Sequence, residues 1–68
     1  MTNTELLREK IKSSGFRMGY IADKIGISYQ CFLDKVNNKH EFRASEIQVL
    51  YDLLGLTEAD RVEIFFAQ

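Results

Sequence analysis

The 68-residue chain contains no proline and a single cysteine, and each shortage excludes a class of structure. One cysteine rules out a disulfide within the chain and fits a protein of the reducing cytosol. Because proline is absent, helices are interrupted only at glycine and asparagine. No apolar run is long enough to cross a bilayer, and the chain does not begin with the basic and apolar segments of a signal peptide. These features predict a cytoplasmic protein.

Residues suited to catalysis or metal binding are equally scarce. Cys31 and His40 are the only cysteine and histidine of the sequence. A predicted helix end separates them, and no glycine-rich oxyanion loop accompanies them. A typical zinc site has four ligands, which these two residues cannot supply, and no phosphate-binding glycine motif is present. The sequence therefore predicts a protein that is not an enzyme and has no catalytic residue, metal or cofactor.

The composition is that of one small folded domain. Apolar residues make up 46% of the chain, which is ample for a compact core and argues against disorder. At this length the core is marginal, so its packing must be efficient. We therefore expect a single domain spanning residues 1–68.

Charge is distributed unevenly along the chain, although the net charge is only −1. Residues 8–43 contain eight basic and four acidic side chains, a balance of +4. Residues 44–68 contain one basic and five acidic side chains, a balance of −4, and Glu5 supplies the remaining −1. A polyanion responds to the local field of a protein rather than to its net charge. The first segment is thus a candidate for contact with nucleic acid, and the alternative is that both segments are ordinary solvated faces.

Capping residues and hydrophobic spacing predict helices near both ends of the chain. Thr2 and Glu5 form a capping-box pattern that opens a first helix, which ends at Gly15. A fourth helix is predicted from Ala44 to Leu54, where apolar residues recur at the clearest helical spacing in the chain. Its inward positions are Ile47, Leu50, Tyr51 and Leu54.

A fifth helix is predicted after Thr57, which caps it together with Asp60. Its apolar residues are Val62, Ile64, Phe65 and Phe66. Val62, Phe65 and Phe66 are expected on one side of this helix. Ile64 and Phe66 cannot both point into the core together with Val62 and Phe65. The helix therefore has more apolar surface than it can bury, which predicts a partner surface within residues 57–68, formed by these four side chains. The alternative is that this tail folds back on the first helix.

The centre of the chain, residues 17–36, has the pattern of two short amphipathic helices joined by a tight turn. Met18, Ile21, Ala22 and Ile25 are three or four residues apart and share one face. Gly26 stands where this helix would stop, because glycine enters the left-handed conformation without steric cost. Ser28 is placed to cap the next helix, whose inward residues are Phe32 and Val36, and Phe42 in the following loop is expected to be buried.

The spacing of Ala22, Gly26, Ile27 and Phe32, followed by the loop NNKHEF, resembles the helix-turn-helix of phage Cro and repressor proteins (the XRE family). The motifs ISYQ, KVNNKHEF, ASEI and the terminal IFF are most similar to small Cro-like proteins of phages and prophages of Gram-positive bacteria. The resemblance covers nearly the whole chain. It implies an all-α, five-helix, lambda-repressor-like helix-turn-helix domain that represses transcription at DNA operators, in the cytoplasm and at the nucleoid of a bacterial cell.

The resemblance places residues 28–36 in the major groove as the recognition helix. Gln30 is the best candidate for direct readout, since its amide both donates to and accepts from adenine. Asp34 can accept from a cytosine amino group, although a surface charge paired with a lysine is the preferred interpretation. The expected base-reading residues are Ser28, Tyr29, Gln30, Leu33 and Asp34. The expected phosphate contacts, which position the protein without selecting sequence, are Arg17, Lys35, Asn38, Lys39, His40 and Arg43.

Two positions depart from the family pattern. Met18 replaces a glutamine that bridges a phosphate and the recognition helix in relatives, which shifts that contact to Arg17 or to the bare backbone. Lys35 occupies a position where many relatives have a large apolar residue, and Val36 beside it can fill that volume. Asn37 and Asn38 replace the usual Asn-Gly helix stop, and one of them is expected to be left-handed.

The natural partner of the C-terminal surface is a second copy of the chain. Two-fold pairing, either in solution or only on DNA, would place two recognition helices about one helical turn of DNA apart. A function of a different class is a protein-interaction module, antirepressor-like or antitoxin-like, that reuses the same scaffold. Met18, Leu33 and Asp34 favour this alternative because they are poor choices for touching DNA.

Overall fold

The computed structural model of the protein describes residues 1–66. These residues form five α-helices and no strand, which confirms the all-α prediction for this part of the chain. The helices are α1 (Thr4–Ser14), α2 (Met18–Ile25), α3 (Tyr29–Val36), α4 (Ala44–Leu54) and α5 (Glu58–Phe65). Within these residues no helix is long and apolar enough to span a membrane.

The turn between α2 and α3 depends on Gly26. Its φ of 89° lies in the left-handed region, where a β-carbon would be strained. Its backbone N–H donates to the carbonyl oxygens of Ala22 and Asp23, at 2.9 and 3.1 Å, and closes α2. Ser28 then begins α3, since its hydroxyl oxygen accepts a hydrogen bond from the N–H of Cys31 at 3.0 Å. Both predicted roles are confirmed, and only Ile27 separates the two residues.

The start of α1 differs from the prediction. Asn3, not Thr2, is the N-cap, and its side-chain oxygen accepts from the N–H of Leu6 at 3.1 Å. Thr2 is buried instead, and its backbone pairs with the side chain of Asn38. The Thr2 N–H donates to Asn38 Oδ1 at 2.8 Å, and Asn38 Nδ2 donates to the Thr2 carbonyl at 2.7 Å. The Thr2 backbone is thereby satisfied by a residue from the end of α3 rather than by its own helix.

The core is built around aromatic and branched side chains from all five helices and from the loops before and after α4. Phe42 is buried as predicted, and its ring lies 6.2 Å from that of Phe32 and 5.4 Å from that of Phe65, both in edge-on geometry. The largest fully buried side chains are Leu7, Ile21, Phe32, Val36, Leu50 and Ile64. The predicted inward faces of α2, α3 and α4 are thus confirmed.

The orientation of α5 corrects the prediction for the C-terminal residues. Ile64 and Phe65 lie in the core, whereas Val62 and Phe66 are about half exposed, at 50% and 52%. The α5 helix packs against α1, and the N–H of Asn3 donates to the Ile64 carbonyl at 2.6 Å. Val62 and Phe66 are four residues apart and therefore share the outer face of the helix. The assignment of Ile64 and Phe65 to a partner surface is wrong, because the protein's own core buries them.

A buried ion pair that the sequence did not predict joins α3 to α4. Lys35 Nζ lies 2.5 Å from Glu46 Oε1, and the two residues are only 7% and 6% exposed. The same carboxylate oxygen accepts from the backbone N–H of Arg43 at 2.8 Å, as the N3 residue of a capping box does. Burial by itself raises the pKa of the Glu46 carboxyl, but the Arg43 N–H and the Lys35 ammonium outweigh burial and lower the pKa below its usual value.

We predict that Lys35→Met destabilises the fold by about 3 kcal/mol, because the Glu46 carboxylate is left buried without its cation. Adding Glu46→Gln should recover part of this loss, since a glutamine oxygen still accepts from the Arg43 N–H without carrying charge. Urea denaturation at neutral pH measures both effects. The matched control is Lys10→Met, which breaks the more exposed pair with Asp60 at 3.3 Å and should cost at most about 1 kcal/mol. Equal losses in the two lysine variants would contradict the buried pair.

The lowered pKa of Glu46 predicts a pH dependence. A carboxyl whose pKa is lower in the folded state stabilises the protein above its unfolded pKa, and the contribution is lost as pH falls through the folded value. The difference in unfolding free energy between the natural protein and Glu46→Gln should therefore be largest near neutral pH and shrink below the usual value of 4.5. Urea titrations at about pH 7 and about pH 3.5 measure this difference. A difference that stays constant with pH would show that Glu46 is not held ionised by its partners.

Candidate nucleic-acid interface

The outer face of α3 carries the residues predicted to read bases. Tyr29 and Gln30 are exposed, Tyr29 at 53%, while Leu33 and Asp34 are half-buried on the same side of the helix. Buried residues of α3, Phe32, Lys35 and Val36, occupy the opposite side. Residues four apart along a helix lie one above the other, so Tyr29 aligns with Leu33 and Gln30 with Asp34. The structure therefore brings these four side chains together and leaves their face unused by the core.

Ser28 stands exposed at the N-terminus of this face. Its hydroxyl oxygen is occupied by the Cys31 N–H, but a hydroxyl group also has one proton to donate. Capping α3 therefore does not consume the donor that a phosphate or base acceptor would use. The predicted double role of cap and donor is compatible with this geometry, and the cap itself is confirmed.

Asp34 accepts a hydrogen bond from Gln30 rather than pairing with a lysine. Gln30 Nε2 donates to Asp34 Oδ1 at 3.0 Å, within one turn of α3. The ion pairs of residues 1–66 are Lys10–Asp60, Lys35–Glu46 and Arg61–Glu58, and Asp34 is in none of them. The preferred interpretation of Asp34 as a lysine-paired surface charge is therefore wrong. The spacing of four residues between an amide and a carboxylate was the signal for this bond.

Two of the residues predicted to contact phosphate have structural roles instead. Lys35 is buried, and its ammonium is paired with the Glu46 carboxylate. Asn38 is left-handed, with φ 65°, and its side-chain Nδ2 donates to both the Thr2 carbonyl and Thr4 Oγ1. Both N–H bonds of that amide are thus used within the protein. The phosphate assignments of Lys35 and Asn38 are wrong for these reasons.

The other predicted phosphate contacts are exposed side chains in two places. Arg17 is the N-cap residue of α2 and makes no side-chain cap hydrogen bond, so the first N–H groups of α2 have no side-chain acceptor there. Lys39, His40 and Arg43 lie in or at the end of the loop between α3 and α4. Burial of Phe42 between His40 and Arg43 attaches this loop to the core. Cations therefore precede the α2–α3 pair and follow it.

An exposed aromatic pair, formed by a residue just before α2 and one in its first turn, was not predicted as a surface feature. The rings of Phe16 and Tyr20 are 5.1 Å apart, and Lys24 Nζ lies 5.4 Å from the centre of the Tyr20 ring. These three residues follow each other at intervals of four, which is the spacing that stacks side chains along one side of a helix. Met18, by contrast, packs against the core.

The exposed part of α5 forms a small C-terminal surface, defined here by Arg61, Val62 and Phe66. The Arg61 guanidinium carbon lies 5.6 Å from the centre of the Phe66 ring. The same guanidinium donates two hydrogen bonds to Glu58, at 2.8 and 3.3 Å. Hydrogen bonding to Arg61 lowers the pKa of the Glu58 carboxyl, although this exposed pair is screened by solvent.

Comparisons with known proteins provide no related site with which these surfaces could be compared. The chain matches no protein-family model, no curated protein and no solved structure. Among residues 1–66, no group of three or more His, Cys, Asp and Glu side chains is placed to hold a metal ion. What the face of α3 offers is a hydroxyl, a phenol, an amide and a carboxylate, with cations before and after it.

Proposed function

We propose that the protein is a non-enzymatic, sequence-specific double-stranded DNA-binding repressor of Cro type, built as a lambda-repressor-like helix-turn-helix domain. In this proposal α2, the turn at residues 26–28 and α3 form the helix-turn-helix, and α3 enters the major groove. The observation that carries it is the exposure of Tyr29 and Gln30 on a helix whose opposite side is anchored in the core. A helix of about 10–12 Å diameter matches a groove about 12 Å wide.

Rigid support of α3 favours a role in recognition. Phe32 and Val36 are fully buried, Lys35 is bound to Glu46, and Thr4 Oγ1 donates to the Val36 carbonyl at 2.6 Å. A face that must match base edges within fractions of an ångström needs such support from neighbouring side chains. Gln30 can then offer both an acceptor and a donor to adenine, while Tyr29 and Leu33 offer apolar contact to a thymine methyl.

The charge of the surrounding surface also supports a polyanionic partner. With Lys35 internal, residues 8–43 retain seven basic against four acidic side chains, a balance of +3. Arg17, Lys39 and Arg43 supply exposed cations for the phosphates that border the groove, and the exposed His40 side chain lies beside Lys39. Bound at an operator in the bacterial cytoplasm, the protein would exclude RNA polymerase, and its occupancy would follow its concentration.

A second copy is the proposed partner at the C-terminal surface. Val62 and Phe66 are the large apolar residues exposed on α5 and at its C-cap, and Arg61 and Glu58 place both signs of charge beside them. A two-fold interface brings the same patch of each copy together, so a patch with both signs is complementary to itself. The surface is small, which suits pairing that is completed on a near-palindromic operator.

A protein-interaction module, antirepressor-like or antitoxin-like, is the second candidate. The exposed Phe16–Tyr20 pair and the carboxylate on the outer face of α3 favour it. Exposed aromatic side chains are enriched in protein interfaces, whereas a carboxylate is repelled by phosphates.

We predict that the protein enriches a specific duplex from random DNA and that Gln30→Ala lowers its preference for that duplex over random DNA by about 1–3 kcal/mol. Arg43→Ala should weaken binding to all duplexes alike and reduce the slope of log affinity against log salt by about 1. Fluorescence anisotropy at several salt concentrations measures both quantities. Lys12→Ala, an exposed lysine at the end of α1, is the control and should change neither. Failure to enrich any duplex would contradict the proposal and favour the protein-interaction alternative.

We further predict that Val62→Ser with Phe66→Ser abolishes pairing while changing the stability of the monomer by no more than about 0.5 kcal/mol each, because both residues are exposed. Sedimentation with and without the enriched duplex measures the mass of the complex. Tyr20→Ser, which alters another exposed aromatic residue, is the control and should leave the mass unchanged. An unchanged mass in the Val62, Phe66 variant would remove the C-terminal surface from any role in pairing.

A further inference from the structure

The hydrogen bond between Gln30 and Asp34 determines how Gln30 presents its amide. A carboxylate carries no proton at neutral pH, so Asp34 Oδ1 can only accept, and the group 3.0 Å away must be the amide nitrogen of Gln30. The amide oxygen of Gln30 is therefore turned away from Asp34. With one N–H held by Asp34, Gln30 has one N–H and one carbonyl oxygen left for a ligand.

The remaining N–H and carbonyl oxygen of Gln30 complement adenine but not guanine. In the major groove adenine presents a donor and an acceptor side by side, its N6 amino group and N7. Guanine presents two acceptors, O6 and N7. A glutamine with one free N–H and one free oxygen complements adenine, whereas guanine requires two donors. Next to guanine, the Gln30 oxygen and the Asp34 carboxylate would both face acceptors.

We propose that Asp34 is a specificity-determining residue that acts through Gln30, so that α3 selects adenine and rejects guanine at the base facing Gln30. The inference rests on the proposed function, since it names the residue that sets the base preference of the same face. Asp34 acts by positioning and by repulsion, and its bond to Gln30 is too exposed to be a major source of helix stability. In the protein without DNA, the consequence is a preferred orientation of the Gln30 amide.

The test compares duplexes that differ at one base pair, within the sequence that the natural protein enriches from random DNA. The natural protein should prefer A·T over G·C at the Gln30 position by about tenfold or more. Asp34→Asn should reduce that ratio at least about fivefold, because a neutral amide can accept from the Gln30 N–H or donate to the Gln30 oxygen and so no longer selects one orientation, and because the repulsion of guanine is lost. Asp34→Glu, which keeps a carboxylate one turn from Gln30, should retain most of the preference.

The ratio of the affinities for the A·T and G·C duplexes distinguishes the proposed role of Asp34 from a general effect of its charge. Asp34→Asn removes a negative charge and should raise the affinity for every duplex, as Asp23→Asn on α2 should also do. Asp23 is exposed outside the α3 face, so Asp23→Asn should leave the A·T to G·C ratio unchanged. An equal change of the ratio in both variants would overturn the inference.

A double-mutant comparison separates action through Gln30 from direct reading by Asp34. In a Gln30→Ala background, adding Asp34→Asn should leave the A·T to G·C ratio unchanged if Asp34 acts through the glutamine. A persisting effect, above all a lost preference for cytosine, would show that Asp34 contacts a base itself and would overturn the proposal.

Enrichment of a duplex distinguishes failure of this inference from failure of the proposed function, and a measurement without DNA tests the bond between Gln30 and Asp34 itself. Asp34→Asn should shift the side-chain NH₂ resonances of Gln30 in the free protein, because a neutral amide replaces the charged carboxylate acceptor. If the natural protein enriches a duplex but the Asp34→Asn ratio is unchanged, the inference fails and the proposed function stands. If the natural protein enriches no duplex, the proposed function fails and the role of Asp34 falls with it, whatever the NH₂ resonances show.

Discussion

The ion pair between Lys35 and Glu46 is the constraint on which the arrangement of α3 depends. A buried ammonium is tolerated only with a carboxylate and hydrogen bonds around it, and Glu46 supplies the carboxylate at 2.5 Å. Since Glu46 also accepts from the Arg43 N–H, the pair sets both the orientation of the last turn of α3 and the starting point of α4. The loop between them, with its exposed cations, is thereby held at both ends.

The N-terminal residues reinforce α3 from another direction. Asn38, just beyond the helix, binds the backbone of Thr2 through its own side chain, and Asn3 donates to α5 at Ile64. Residues 2–4 thus lie between the end of α3, which carries the proposed recognition face, and α5, which carries the proposed pairing surface. Because a small core leaves little stability to spare, such polar bridges between segments matter more here than in a larger domain.

Local sequence signals predicted much of this structure. The contacts between residues far apart in the sequence were not predicted. Gly26 and Ser28 could be assigned from sequence because their roles depend on neighbours within four residues. Lys35 could not, since nothing near it in sequence shows that a carboxylate 11 residues later is buried with it. Lysine is rarely buried, so its exposure was the default expectation. Asn38 was misjudged for the same reason, because its partner Thr2 lies 36 residues away.

The sequence by itself determined the five helices, their stops, and which sides of α2, α3 and α4 are apolar, because dihedral preferences, caps and helical periodicity act within a turn or two. It also determined that Tyr29 and Gln30 lie opposite Phe32 and Val36. Only the tertiary structure decided that Ile64 and Phe65 enter the core while Val62 and Phe66 stay outside, and that Lys35 and Asn38 serve the fold rather than a ligand. Those outcomes depend on how segments far apart in sequence meet, since a side chain is buried only when another element covers it.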